Sequence, residues 1–229
     1  MREIILDTET TGLDPNEGHR LVEIGCVEML DRNPTGATWH KYFNPERDMP
    51  VEAFNVHGLS AEFLSDKPLF AELAQEFVDF IGDAHLVIHN AGFDMRFLNA
   101  ELKRVNKAVL QLDRVVDTLA MARRKHPGAR ASLDELCQRY GIDNSKRVKH
   151  GALLDAEILA EVYIELTGGR QTALSLASAS AAIVARAGGG AVRPRPKALP
   201  SRIRPEELAA HEAFIAGLGE NALWKKYAP

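Results

Sequence analysis

Cysteine is scarce, at two in 229 residues. Cys26 and Cys137 stand in apolar-patterned segments with no CxxC spacing and no histidine beside them, which argues against a zinc site and for buried, reduced thiols. Long apolar runs are missing as well. None reaches the roughly 18 to 20 residues that cross a bilayer, so no membrane association is expected. The opening Met1-Arg2-Glu3-Ile4-Ile5-Leu6-Asp7 is broken by acids at positions 3 and 7 and lacks the uninterrupted apolar region of a secretory signal; a cytoplasmic protein is the expectation. Most of the chain also lacks surplus positive charge. Against a net charge of −4, residues 169–229 hold nine Lys/Arg and four Asp/Glu, a local +5, whereas residues 1–168 hold 19 basic and 28 acidic residues, or −9. Bulk attraction of phosphate needs a basic surface. An acidic body suits carboxylates that hold cations, or a protein handed its substrate by a partner. No internal repeat is visible.

What is present is an ordinary globular composition, 45% hydrophobic and 26% charged, and a length that suits one domain of about 150 to 200 residues with an extension. Apolar runs or alternation at 2–7, 21–30 and 36–43 predict three opening strands, the first two separated by a Gly, Asp, Pro and Asn loop at 12–18. The period then changes. Phe70, Leu73, Ala74, Phe77, Phe80 and Ile81 recur at helical spacing, Leu86-Val87-Ile88 reads as a short buried strand, and helical patterns follow at 93–105, 117–125, 132–140 and 152–167. Strands followed by mixed helices and strands imply an α/β or α+β body ending near Gly168. Residues 177–204 are rich in Ala, Gly, Ser, Pro and Arg, too little apolar surface to offset chain entropy, and are expected to be a flexible basic linker. A helix is expected from Pro205 to Leu218, with Glu206 and Glu207 at the positive end of its dipole and Leu208, Ile215 and Leu218 roughly on one side.

Acids on faces that should be buried carry the chemistry. Asp7 and Glu9, two apart at the end of a strand, point to the same side of the sheet. Two adjacent anions are stable at neutral pH when a cation sits between them, and hard divalent ions take such oxygen ligands. Asp94 stands at the head of the stripe Phe97, Leu98, Leu102 and Val105, where a helix cap is its alternative role. Asp155 heads Ile158, Leu159, Val162 and Leu166. An acid on the apolar side of a helix is costly without a cation or hydrogen bonds. His150 lies five residues before Asp155, about 500° of helical rotation away, and so belongs to the loop before that helix. With an ordinary pKa near 6.5 it can take a proton from water.

The segments Asp7-Thr8-Glu9-Thr10-Thr11-Gly12, His89-Asn90-Ala91-Gly92-Phe93-Asp94 and His150-Gly151-Ala152-Leu153-Leu154-Asp155 resemble, in order, the three exonuclease motifs of the DEDD superfamily in its His-containing branch. The resemblance spans nearly all of residues 1–168. It implies an α/β, ribonuclease-H-like fold, a mixed five-stranded sheet with surrounding helices, and 3′→5′ exonuclease activity. It also implies two divalent ions, Mg²⁺ or Mn²⁺, with Asp7 bridging, Glu9 and Asp155 on one ion, Asp94 on the other, and His150 as the base. Pro50 to Leu59, which the pattern alone reads as a loop with one histidine, resembles the family segment whose Glu and His hold the terminal nucleotide, here Glu52 and His57.

The tail narrows the resemblance. Gln171-Thr172-Ala173-Leu174-Ser175-Leu176 is similar to the peptide by which replication proteins enter the sliding clamp, with Gln171, Leu174 and Leu176 as anchors, although a helix extension is an equal reading of the residues alone. Glu206 to Ala213 and Leu223-Trp224 resemble the carboxy-terminal segment of the epsilon family of proofreading subunits, implying docking onto the catalytic (alpha) subunit of DNA polymerase III through Leu208, Ile215 and Trp224. The implied organisation is an exonuclease domain at 1–168, a clamp-binding peptide at 169–176, the linker, and a polymerase-binding segment at 205–229. Implied partners are alpha, the beta clamp, a frayed or single-stranded primer 3′ end and, as an open question, a small theta-like subunit. An exoribonuclease of the same branch, or a non-catalytic scaffold bridging clamp and polymerase, are the competing readings.

Overall fold

Strand β1 (Arg2–Thr10) is buried along both faces, and its side chains divide the interior in two. Ile4 and Leu6 join one apolar cluster and Ile5, between them, joins the other, as the two-residue period of a central strand requires. β1 pairs antiparallel with β2 (Leu21–Leu30), which pairs antiparallel with β3 (Asn33–Tyr42). On its other edge β1 runs parallel to β4 (His85–Ile88), and β4 parallel to β5 (Val115–Asp117). The order is β3-β2-β1-β4-β5, the mixed five-stranded sheet implied by the family resemblance.

This computed structural model describes residues 1–147, 149–169 and 204–218. Helices α1 (Val51–His57), α2 (Ala61–Leu64), α3 (Phe70–Ile81), α4 (Ala91–Arg104), α5 (Thr118–Lys125), α6 (Leu133–Tyr140) and α7 (Ala152–Leu166) accompany the sheet. Phe70, Ala74 and Phe77 of α3 and Phe97, Leu98 and Leu102 of α4 cover one face, while Leu136 of α6 and Ile158, Leu159 and Val162 of α7 cover the other. Cys26 and Cys137 are buried free thiols, one in each layer.

Three differences from the sequence reading have physical causes. β3 begins at Asn33, earlier than expected, because its first residues form an exposed edge with no apolar pattern, entered through Asp31 and Arg32 at left-handed φ of 50° and 65°. The stretch read as a loop at 50–59 contains α1, closed by Gly58 at φ 76°. Its one buried residue is His57, so it shows no apolar stripe. β5 spans three half-buried residues, too few to display a period.

A second compact unit spans Leu174–Pro229, the first being Met1–Ala173. Its described part is α8 (Pro205–Gly217), opened by Arg204, whose backbone N–H donates to Glu207. Leu208 and Leu218 are exposed and Ile215 is half-buried. Gln171, Leu174, Leu176 and Trp224 lie outside the described residues.

Candidate active site

The C-terminal ends of parallel strands gather the acids. Asp7 and Glu9 leave the end of β1, and the register Leu6↔Ile88 sets the end of β4 beside them. β4 runs through His89 into Asn90, which turns the chain at φ 63° to start α4. Asn90, not Asp94, therefore occupies the cap position; Asp94 lies within the first turn, near the positive end of the helix dipole. The Thr8 hydroxyl donates to Asp94 Oδ1 at 2.7 Å. Asp155 comes from the first turn of α7, whose start packs directly on Gly25 of β2: a Cβ there would lie 2.2–2.4 Å from backbone atoms of Ala152 and Leu153. His150 sits in the irregular segment just ahead, its N–H donating to the Val56 carbonyl, which ties that segment to α1.

Asp7, Glu9, Asp94, His150, Asp155, Glu52 and His57 all line one cavity of about 1100 Å³. Within it, ligand atoms of Glu9, His150 and Asp155 lie within 4.8 Å of one another. Asp7 and Asp94 share the cavity without belonging to that tight group.

The electrostatics are those of crowded anions. Burial, then repulsion by Asp94, Glu9 and Asp155, raises the Asp7 carboxyl well above its ordinary range. Burial, followed by the neighbouring Glu23, pushes Glu9 up to about 8. Burial raises Asp94 to about 7 against the opposing Thr8 hydrogen bond. Asp155 behaves differently. Desolvation acts to raise it too, but two hydrogen bonds from Arg147 hold it below the usual carboxylate range. Three enclosed acids whose ionisation is opposed by desolvation, and for Asp7 and Glu9 also by neighbouring carboxylates, form a site that a divalent cation would relieve. Their carboxylate oxygens suit a hard divalent ion.

On the α1 wall of the cavity, Glu52 is exposed in the first turn of that helix and His57 is buried at its end. His57 Nδ1 accepts from the Leu59 N–H at 3.0 Å, so Nε2 carries the proton, and that buried atom has no hydrogen-bond partner among the described residues. Burial lowers the His57 pKa, which keeps the ring neutral.

Sequence reasoning passed over several contributors. Gly25 carried a signal, a glycine inside a strand, which marks close backbone approach. Glu23, paired across the ladder with Glu9 and bonded to His40 Nε2 at 2.6 Å, looked like an ordinary strand residue. Arg147 was visible merely as part of the basic run Lys146-Arg147-Val148-Lys149.

Residues 4–163 match the family model described as Exonuclease. A DNA polymerase III subunit epsilon from Rickettsia conorii is 50% identical over 227 residues, covering 97% of this chain and 98% of that relative. The Escherichia coli K12 protein of the same name is 46% identical over 239 aligned positions, covering 98% and 97%. The chain belongs to the DNA polymerase III epsilon family of exonucleases. Like other proteins of the epsilon family it is a metal-dependent 3′→5′ exonuclease. Solved structures agree on the fold. The nuclease domain of 3′hExo, a DEDDh family member bound to rAMP, superposes with a TM-score of 0.63 at 17% identity, over 72% of this chain and 91% of that one. The zinc-bound E. coli ExoI–ssDNA complex gives 0.63 at 18% identity, over 74% and 41%. No helix among the described residues of this epsilon-family chain is long and apolar enough to cross a membrane.

Proposed function

We propose that this chain is the proofreading subunit of a bacterial replicative polymerase, removing mispaired 3′-terminal nucleotides from DNA, with the chemistry assigned residue by residue as follows. Asp7, Glu9, Asp94 and Asp155 would hold two divalent ions, Mg²⁺ or Mn²⁺, with Asp7 shared between them, Glu9 and Asp155 on one and Asp94 on the other. Bound there, the ions would stabilise charge on the attacking and leaving oxygens of the phosphodiester. His150 accepts the proton of the attacking water through a ring nitrogen. Glu52 and His57 hold the terminal nucleotide, His57 through its unpartnered Nε2–H, and the product is a nucleoside 5′-monophosphate. The observation that carries this reading is the approach of Glu9, His150 and Asp155 to within 4.8 Å in the cavity that Asp7 and Asp94 also line. A primer with a mismatched 3′ nucleotide, digested with Mg²⁺ or Mn²⁺, should lose that nucleotide as a monophosphate. Activity surviving EDTA or the Asp7→Ala substitution overturns the assignment, and a preference for RNA ends favours the exoribonuclease reading.

The tail extends the proposal to assembly. The beta clamp is met by Gln171, Leu174 and Leu176, the linker at 177–204 tethers the exonuclease domain at high local concentration, and the alpha subunit is met by Leu208, Ile215 and Trp224. The exposed Leu208 on α8 supports the last of these. A theta-like subunit and a cytoplasmic location belong to the same reading. Full-length protein carrying Gln171→Ala should lose retention on immobilised clamp while keeping polymerase, and Trp224→Ala should do the converse; unchanged retention of both partners by both variants removes these docking roles.

A further inference from the structure

We propose that Arg147 is a built-in counter-cation of the active site, whose guanidinium occupies Asp155 and His150 until a divalent ion displaces it, with Asp134 retaining the displaced group. The inference rests on the metal-site reading above and concerns what competes for that site.

Arg147 is embedded, its side chain 8% exposed. Its Nε donates to Asp155 Oδ1 at 2.5 Å and its Nη2 to Asp155 Oδ2 at 2.7 Å, a two-pronged pairing that uses both carboxylate oxygens. Such a fork is the strong, directional form of an arginine–carboxylate contact. A divalent ion bound by Asp155 would use the carboxylate's remaining lone pairs beside a guanidinium that already neutralises it, so two cations compete for one anion. The same Nη2 lies 2.8 Å from His150 Nδ1. A guanidinium N–H donates and cannot accept, so Nδ1 is the acceptor, and its 3.3 Å approach to Asp155 Oδ2 shares no proton. In this arrangement the accepting nitrogen of His150 is already taken and cannot receive a proton from water. One side chain therefore restrains two of the three groups that come within 4.8 Å of one another, Asp155 and His150.

Asp134 gives the guanidinium a second anchor. Nη1 donates to Asp134 Oδ1 at 2.8 Å, and the Asp134 side chain, in the first turn of α6, is 57% exposed. Arg147 thus spans a buried acid and an acid at the cavity rim. It lies in the irregular segment between α6 and α7, so a change of rotamer toward Asp134 requires no helix to break. Entry of an ion at Asp155 adds positive charge beside the guanidinium, and Coulomb repulsion favours the outer anchor. The one event then frees Asp155 to ligate and His150 to accept a proton, so the general base would be unmasked when the metal arrives.

Two substitutions separate occupation of Asp155 from mere positive charge. Lysine at 147 keeps the charge but cannot form the fork; Arg147→Gln removes both. Mn²⁺ binding to the full chain, measured by calorimetry without DNA, should tighten about three- to tenfold in Arg147→Lys, the scale of one lost charge-assisted contact, and further in Arg147→Gln. Both variants should melt lower than wild type in EDTA and gain more from saturating Mn²⁺. Asp134→Asn, which weakens the outer anchor, should bind Mn²⁺ more weakly than wild type, and it keeps the test open should Arg147→Gln fail to fold. Unchanged or weaker Mn²⁺ binding in Arg147→Lys, with wild type binding normally, overturns the inference alone. Absence of Mn²⁺ uptake by wild type overturns the metal-site reading and this inference with it.

Discussion

Asp7 on β1 is paired directly across the antiparallel ladder with Gly25 on β2, and the missing side chain at Gly25 is the space into which the start of α7 settles. The consequence reaches the site, because Asp155 lies in the first turn of that helix. Any Cβ at position 25 meets the backbone of Ala152 and Leu153 at 2.2–2.4 Å, and backbone cannot rotate aside as a side chain can. Gly25→Ala should therefore push the start of α7 away from β2, costing about 1–3 kcal/mol as an overpacked contact and removing most exonuclease activity. Thermal melting and digestion of a mismatched primer measure the two effects. A folded variant with wild-type turnover would mean that the close approach does not position Asp155.

The crowded carboxylates predict an unusual pH response when metal is withheld. Glu9, pushed up to about 8, and Asp94, pushed up to about 7, retain protons in the folded chain that the unfolded chain has already released. Between the ordinary carboxylate range near 4 and a pH of about 8, the native state thus binds more protons than the unfolded state, and stability falls as pH rises. Asp155, held below its usual range, contributes with the opposite sign, but its loss of stabilisation falls at more acid pH than this window. His57 and His89, whose pKa values burial lowers, oppose this trend below about pH 6.5, the ordinary imidazole value, so in EDTA the melting temperature should decline most clearly from about pH 6.5 to pH 8. Saturating Mg²⁺ or Mn²⁺ should flatten or reverse the slope by favouring ionised ligands. A level profile in EDTA would show that burial and crowding do not oppose ionisation of these acids.

Thr8 tunes one of these acids separately. Its hydroxyl, buried with Asp94, stabilises the ionised carboxylate from 2.7 Å. Thr8→Val keeps the shape and deletes the donor. The variant should raise the Asp94 pKa beyond about 7 and cost about 1–3 kcal/mol for an unsatisfied buried acceptor. The acid limb of the kcat/KM profile should move toward alkaline pH, so the deficit is largest below neutrality. Thr8→Ser should restore the limb, which a purely structural defect would not do.

These residues differ in how far the sequence discloses them. Asp94 and Asp155 were legible because each heads an apolar helical stripe, and an acid on a buried face needs a reason. Asp7 and Glu9 were legible from a strand that ends in alternating acids. The role of His57 was not legible from patterning, since α1 buries that one side chain and shows no stripe; it depended on resemblance. Arg147 was hidden for a different reason. Its partners Asp134, His150 and Asp155 are 13, 3 and 8 residues away, separations that no single helix or strand period connects. Local periodicity reports which face a residue shares, whereas a contact between an irregular segment and two helix starts exists once the helices have packed.

The loop that follows the β1 acids is fastened at its far end by an ion pair to a buried glutamate, and loss of that pair should act on substrate binding separately from chemistry. Arg20 reaches Glu101 of α4 through Nε at 2.6 Å and Nη2 at 3.1 Å, and Arg104 adds a third bond at 2.8 Å. Glu101 is 2% exposed. Arg20 also closes the loop itself, its carbonyl accepting from the Thr11 N–H and its own N–H donating to the Thr11 hydroxyl. Between these points lie Gly12, Leu13, Glu17 and His19, all on the cavity wall. Glu101→Ala leaves Arg20 with the exposed Glu46, 3.5 Å away, as its remaining carboxylate and should destabilise the chain by about 1–3 kcal/mol, the scale of losing hydrogen bonds to a charged group. The acids come from β1, α4 and α7 and do not depend on this loop, so the folded fraction should show a raised KM for primer with a smaller change in kcat. Steady-state kinetics at a temperature where the variant is folded measures the split; a fall in kcat at unchanged KM would place the loop in the chemical step instead of in holding the strand.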